Sequence, residues 1–249
     1  LAERHGYRVR SPREDYDVAR AFDAGLVLEF VQATQPEEWQ KLVEQYCEGA
    51  ADNFLDRVDS EIAARGLLDV LRSGVKDRDA SVRLMFAEPG SDRNPDTWRD
   101  YEGNILSVIR QVKYSERNEN SIDVVLFLNG LPIFTVELKN QLTGQSVQHA
   151  IRQYQIDRDP KEKLLGFKRC LTHFAVDTEQ VFMTTELRGL ATRFLPFNRG
   201  NGNASGNPVV EGKYKTHYLW EEIWSRPSVI DLVSHFAHVQ VEEKEDARG

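Results

Sequence analysis

Cysteine is scarce in this chain: Cys47 and Cys170 are the only two, far apart and outside any Cys-x-x-Cys pattern. Such usage excludes a disulfide framework and a cysteine-built zinc cluster, and it argues for a reducing, cytoplasmic compartment. Long apolar runs are missing too. None approaches the roughly 18 residues that a membrane-spanning helix needs, and no signal peptide is visible, so no membrane partner is expected. Positive charge is in deficit, with 32 Lys and Arg against 40 Asp and Glu and a formal net charge of −8. That is the wrong sign for a module that grips DNA unaided, because phosphate contacts supply most non-specific affinity. Gly-x-x-x-x-Gly-Lys-Ser/Thr is absent, which excludes a P-loop nucleotide site. The Gly/Asn-rich GNGNASGNP, 200–208, lacks that lysine and a following helix, and reads as a surface loop. No internal repeat or low-complexity tract stands out.

What the chain does have is enough length, 249 residues, for one large domain with a sizeable core. The first residue is Leu1, and LAERHGY reads as the last turn of a helix stopped by Gly6, so the natural chain is expected to begin earlier. The C-terminal VEEKEDARG is a charged tail without a core pattern, so both ends are expected to be cut. From Tyr7 to Arg20 a short strand and a charged loop are expected, and LVLEFV, Leu26 to Val31, reads as another strand. Pro36 in a first turn, Glu37 and Glu38 at the positive helix end, and Trp39, Leu42, Val43 and Tyr46 at helical spacing predict a helix in PEEWQKLVEQYC. A second helix should cover Ala50 to Ala64, and GLLDVLRSG, 66–74, a short helix or turn. SVRLMFA (81–87) and NILSVIRQVKY (104–114) read as strands flanking a loop, EPGSDRNPDTW. Val147, Ala150, Ile151 and Tyr154 at i, i+3, i+4 and i+7, behind Ser146 as N-cap, predict a helix packed on the sheet. Leu171 to Val176 and Val181 to Thr185 should be strands joined through DTEQ, with helices over Thr216 to Trp224 and Ser228 to Val239 closing the chain.

The most informative stretch is SIDVVLFLNGLPIFTVELKN, Ser121 to Asn140. Two apolar, β-rich segments flank Asn129-Gly130, a strong hairpin signal because both residues tolerate positive φ. Asp123, Glu137 and Lys139 gather at one end of that hairpin, and acidic groups are seldom buried unless they are paired or hold a cation. Glu137 and Lys139 share a face by alternation. A strict two-residue turn pairs Leu128 with Leu131, sets Glu137 opposite Ile122, and puts Asp123 on the other face. One extra residue, as in a three-residue turn, brings Asp123 to the face of Glu137 and Lys139. In that second arrangement two carboxylates with room for water suit Mg²⁺, with the lysine beside them to orient water or stabilise phosphoryl charge. The plainer alternative is an ion pair between Lys139 and Glu137 at a strand end. Glu44 and Glu61, on the upstream helices, are further acidic candidates for such a site, or solvated face charges. His235 and His238 have the spacing to share a metal, although two histidines on a terminal helix are commonly incidental.

Asp123 followed by Glu137-Leu138-Lys139 resembles the PD-(D/E)xK nuclease signature. NGLPIFTVELKN is similar to the N-terminal endonuclease domain of the R (motor) subunit of type I restriction enzymes. GYRV, FVQATQPEEW, RGLLDVLRSGVK, NILSVIRQVKY, HFAVDTEQVFMTTEL, TRFLPFNRG and YLWEEIW extend the likeness along most of the chain. The resemblance implies an α/β fold: a mixed, five- or six-stranded sheet flanked by helices, with a restriction-endonuclease-like core. It implies a single endonuclease domain over 1–249, with a helical part at 1–65, the nuclease core at 66–190, and the Gly/Asn loop and closing helices at 191–249. By the same resemblance Asp123 and Glu137 are metal ligands and Lys139 the catalytic lysine. The family carries a Gln followed four residues later by Tyr on the next helix; Gln153 fits the first, but position 157 is Asp157 and the nearest tyrosine is Tyr154. The implied activity is Mg²⁺-dependent hydrolysis of double-stranded DNA, Mn²⁺ being able to substitute. ATP acts only through motor domains outside this sequence, and the partners are the methylase and specificity subunits. The rivals are a non-catalytic docking module of the same fold, and a related nuclease for single-stranded or branched DNA.

Overall fold

In the computed structural model, residues 1–91 and 93–240 are described. A short α1, Ala2–His5, ends at Gly6, which takes the left-handed conformation (φ 67°), and leads into β1, Arg8–Arg10. Next comes α2, Ala24–Thr34, where a strand was expected. Asp23 caps it by accepting the Leu26 N–H at 2.9 Å, and the buried residues Leu26, Val27, Phe30 and Val31 share one helical face. A run of apolar, β-branched residues is ambiguous between strand and buried helix, and here the cap decides. α3, Pro36–Tyr46, and α4, Ala50–Arg65, follow as their spacing requires. Trp39 packs edge-on against Phe54. α5 is Leu67–Ser73.

The small hairpin of β2, Val75–Asp77, and β3, Ala80–Val82, takes up only the start of the SVRLMFA segment. Part of the expected loop EPGSDRNPDTW is helical: α6, Pro95–Glu102, has Pro95 in its first turn and Asn94 accepting the Asp96 N–H. Both signals favour a helix start. β4, Leu106–Lys113, β5, Ser121–Leu128, and β6, Leu131–Leu138, form the middle of the main sheet. α7, Val147–Ile156, starts at Ser146, whose N–H donates to His149 Nδ1. β7, Thr172–Val176, and β8, Val181–Thr184, are joined by a turn in which Asp177 N–H donates to Gln180 O. β9, Leu195–Pro196, is a two-residue edge. The Gly/Asn segment after it is largely exposed. In place of two long closing helices there are π-helical turns at Leu219–Ile223 and Leu232–Phe236 around α8, Arg226–Asp231. The charged tail, 241–249, lies outside the described residues.

Among the described residues the main sheet has seven strands in the order β1-β4-β5-β6-β7-β8-β9, more than the five or six expected because β1 and β9 are short edges. β1 and β4 run parallel, as do β6 and β7, while the other neighbours are antiparallel. The fold is α/β with a mixed sheet flanked by helices. On one face Val124, Leu126, Phe134, Val136 and Phe174 join Leu26, Phe54 and Trp224 in the larger core. On the other, Ile109, Val125 and Phe127 pack with Tyr154 of α7 and with Leu164 and Leu165. No helix among the described residues is long and apolar enough to cross a membrane.

Candidate functional site

The geometry of the site starts at the β5–β6 turn. Asn129 (φ 51°) and Gly130 (φ 82°) both lie in the left-handed region, as a two-residue type I′ turn requires. Leu128 pairs with Leu131 and Phe127 with Pro132. By that count Asp123 and Glu137 belong on opposite faces. The register then slips by one, so that Leu126 pairs with Phe134 and Val124 with Val136. The extra residue is Ile133, whose carbonyl accepts the Leu171 N–H at 2.9 Å at the start of β7. This is a β-bulge, and Pro132, which cannot donate to the ladder, sits beside it. The turn is therefore strictly two-residue, yet the extra residue is present, moved down the strand. It sets Asp123 opposite Glu137 on the α7 side of the sheet.

The turn end of the hairpin is buried. Asn129 accepts from Ile105 N–H through Oδ1 and donates through Nδ2 to Leu84 O and Asn104 Oδ1. The charged residues lie at the far end, where the sheet opens: Leu138 is 36% exposed, but Glu137 is fully buried.

Each carboxylate is held in place. Asp123, half-buried, accepts from Gln111 Nε2 (3.0 Å) on β4 through Oδ1 and from the Leu138 N–H (2.8 Å) on β6 through Oδ2. Glu137 Oε1 accepts from Arg158 Nε at 2.7 Å, with both side chains out of solvent. Arg158 also donates Nη2 to the Ser121 carbonyl (2.8 Å) and lies over the Tyr114 ring. The Glu137 partner is thus Arg158 and not Lys139. Burial pushes the Glu137 carboxyl up to about 8; Arg158 opposes the rise, and the neighbouring charge of Asp123 adds to it. Glu137 Oε2 is buried without a hydrogen-bond donor among the described residues.

Lys139 follows the last residue of β6, its backbone N–H donating to Val176 O at 2.8 Å. Its half-buried side chain has no partner among the described residues. Gln153 is half-buried on α7, which packs against β6 and β7, and its Oε1 is buried and has no partner among the described residues. Next to it, Tyr154 is fully buried, its hydroxyl 2.8 Å from Thr135 Oγ1, which in turn meets His173 Nδ1 at 2.7 Å. Tyr154 therefore ties α7 to the strand of Glu137, two residues from the carboxylate. Burial lowers the His173 pKa to about 3, so its ring is neutral.

The upstream acidic candidates do not join. Glu44 is exposed and takes a hydrogen bond from Gln40, and Glu61 pairs with Arg57 and Arg65 on its own helix. His235 is exposed and bonds Asp231. No group of three or more His, Cys, Asp or Glu able to hold a metal occurs among the described residues. The donor set is two neighbouring carboxylates, one with a buried oxygen that receives no hydrogen bond among the described residues. Both features suit a hard, oxygen-preferring cation that keeps several of its waters.

Sequence reasoning missed Arg158 and Gln111. Arg158 stands 21 residues beyond its partner and just past α7, and Gln111 is one polar residue on a strand, so neither carries a local signal.

No curated relative matches the chain. The family model of the type I restriction enzyme R protein N terminus matches residues 1–192, a span that includes β1 through β8 and every residue of the site. The chain belongs to the family of type I restriction enzyme R protein N-terminal domains.

Proposed function

We propose that this chain is the endonuclease domain of a type I restriction enzyme R subunit and hydrolyses phosphodiester bonds of double-stranded DNA with Mg²⁺. The observation that carries the reading is the bulged register that sets Asp123 beside Glu137 and leaves Glu137 Oε2 unpartnered. Asp123 and Glu137 would hold the cation, which Mn²⁺ can replace. When bound, the ion supplies Lewis-acid stabilisation of phosphoryl charge and a water of lowered pKa. Lys139, unpaired at the strand end, orients the attacking water or steadies charge developing on the phosphate. Gln153 contributes a buried amide oxygen that accepts from a water and fixes its direction. Arg158 keeps Glu137 in one rotamer. ATP-driven translocation belongs, in this reading, to motor domains of the same subunit, and the methylase and specificity subunits choose the DNA.

The test is a Mn²⁺-dependent cleavage assay on plasmid and single-stranded DNA, comparing the wild type with Asp123→Ala, Glu137→Ala and Lys139→Ala. Plasmid cutting that each substitution abolishes, with the fold retained, is the expected result. Wild-type protein that never cuts favours a docking module, and cutting confined to single strands points to a different nuclease of the same fold.

A further inference from the structure

Gln111 lies directly across from Asp123, since Arg110 pairs with Val124 and Val112 with Ile122. Gln111, Asp123 and Glu137 therefore form one row over three adjacent strands. At Gln111 the β4–β5 pairing lapses, and the residue takes a φ of +52°. For a residue with a Cβ, that region is disfavoured, and such outliers persist only where the surroundings impose them. Here the side chain is engaged at both ends. Nε2 donates to Asp123 Oδ1 at 3.0 Å, and Oε1 accepts from Ser121 Oγ at 3.0 Å. The Asp123 carboxylate, which can only accept, fixes which end of the amide meets it, and the Ser121 hydroxyl donates to the other end. Ser121 is also the residue whose carbonyl receives Arg158, the partner of Glu137. One serine thus links the supports of both carboxylates.

We propose that Gln111 is a positioning residue for the cation site, holding the Asp123 carboxylate at the orientation that lets it share a cation with Glu137. This rests on the metal-dependent reading above. Groups that orient a metal ligand typically change affinity about 10- to 100-fold when removed. Gln111 is exposed, and its backbone conformation suits glycine, so Gln111→Gly removes the amide while easing the backbone. A purely structural role predicts the opposite pattern, an unchanged site in a less stable protein.

The experiment is calorimetric titration of this 249-residue chain with Mn²⁺, alongside thermal melting without metal, for the wild type, Gln111→Gly, Gln111→Asn and Asp123→Ala. Asparagine tolerates positive φ but is one methylene too short to bridge. Both Gln111 variants should bind Mn²⁺ about 10-fold or more weakly, with Gln111→Gly melting at or above the wild-type temperature, while Asp123→Ala loses binding. Wild-type affinity in both Gln111 variants, with binding lost in Asp123→Ala, overturns the role of Gln111 and leaves the cation site standing. Wild-type affinity in Asp123→Ala, or a wild type that binds no Mn²⁺, overturns both.

Discussion

Arg158 donates its Nε to Glu137 Oε1 across 2.7 Å, and the pair is closed off from solvent on both sides. Breaking such a pair from one side strands a buried charge, at a cost of about 3–5 kcal/mol. Because losing Arg158 raises the Glu137 carboxyl further above about 8, Arg158→Met should destabilise the chain by about that amount only near pH 10, and by less at pH 6, where Glu137 takes up a proton. Adding Glu137→Gln to Arg158→Met should recover part of the loss. Urea midpoints for the double-mutant cycle at both pH values check this, and strictly additive effects would refute it.

The β5–β6 turn leaves no room for a side chain at Gly130. A Cβ there would lie 2.5 Å from Asp23 O and 2.7 Å from Val27 N, both backbone atoms, at a φ of +82°. Gly130→Ala should cost about 2 kcal/mol or more, from left-handed strain alone plus the clash. A urea midpoint within error of wild type would show that the α2 start yields more easily than its capping bonds suggest.

Two buried groups titrate in opposite senses. His173 is held near 3 against 6.5 unfolded, so its contribution is present above pH 6.5 and is lost as pH falls below that. Glu137 is raised to about 8 against 4.5 unfolded, so its contribution is present at low pH and is lost as pH rises toward 8. Between pH 6.5 and 5 the two slopes, each at most about 1.4 kcal/mol per pH unit, oppose one another. With a chelator present, stability should thus be nearly flat from pH 6.5 to 5 and decline from 6.5 to 8. In Glu137→Gln the decline above 6.5 should vanish, and stability should fall on acidification from 6.5. Denaturant melts across that range decide it; a wild type and variant with the same profile would contradict the burial argument.

The chain alone should bind duplex DNA weakly and with a shallow salt dependence. Its net charge is −8. Of the basic residues from 161 to 199, Lys163 and Arg169 pair with Asp59, Arg188 with Glu186 and Arg199 with Glu222, leaving Lys161, Lys168 and Arg193 as less committed charge in that stretch. Few phosphates neutralised means low affinity and a small slope of log affinity against log salt. Tethered to a motor that holds the duplex, the same site would work at high effective DNA concentration. Sub-micromolar affinity with a steep slope, in a direct titration near physiological salt, would show a DNA-gripping face in this chain.

The sequence by itself determined the local elements whose signals lie within a few residues. Pro36 with Glu37 and Glu38 announced α3, Ser146 and the 147–150–151–154 spacing announced α7, and Asn129-Gly130 announced the turn. It also placed Asp123, Glu137 and Lys139 at one end of a hairpin. Where two local patterns compete, the surroundings chose: Asp23 made Leu26 to Val31 helical, and Asn94 with Pro95 started a helix inside a Gly- and Asp-rich stretch. Whether Asp123 and Glu137 meet was decided by tertiary structure alone. At the bulge the Ile133 carbonyl bonds Leu171, 38 positions away, and no pattern within β6 records that bond. The same holds for Arg158 on Glu137 and for Gln111 on Asp123. A buried charge needs a partner, but the sequence does not say which arginine or amide comes to it, because that choice is made by packing between strands and helices far apart in the chain.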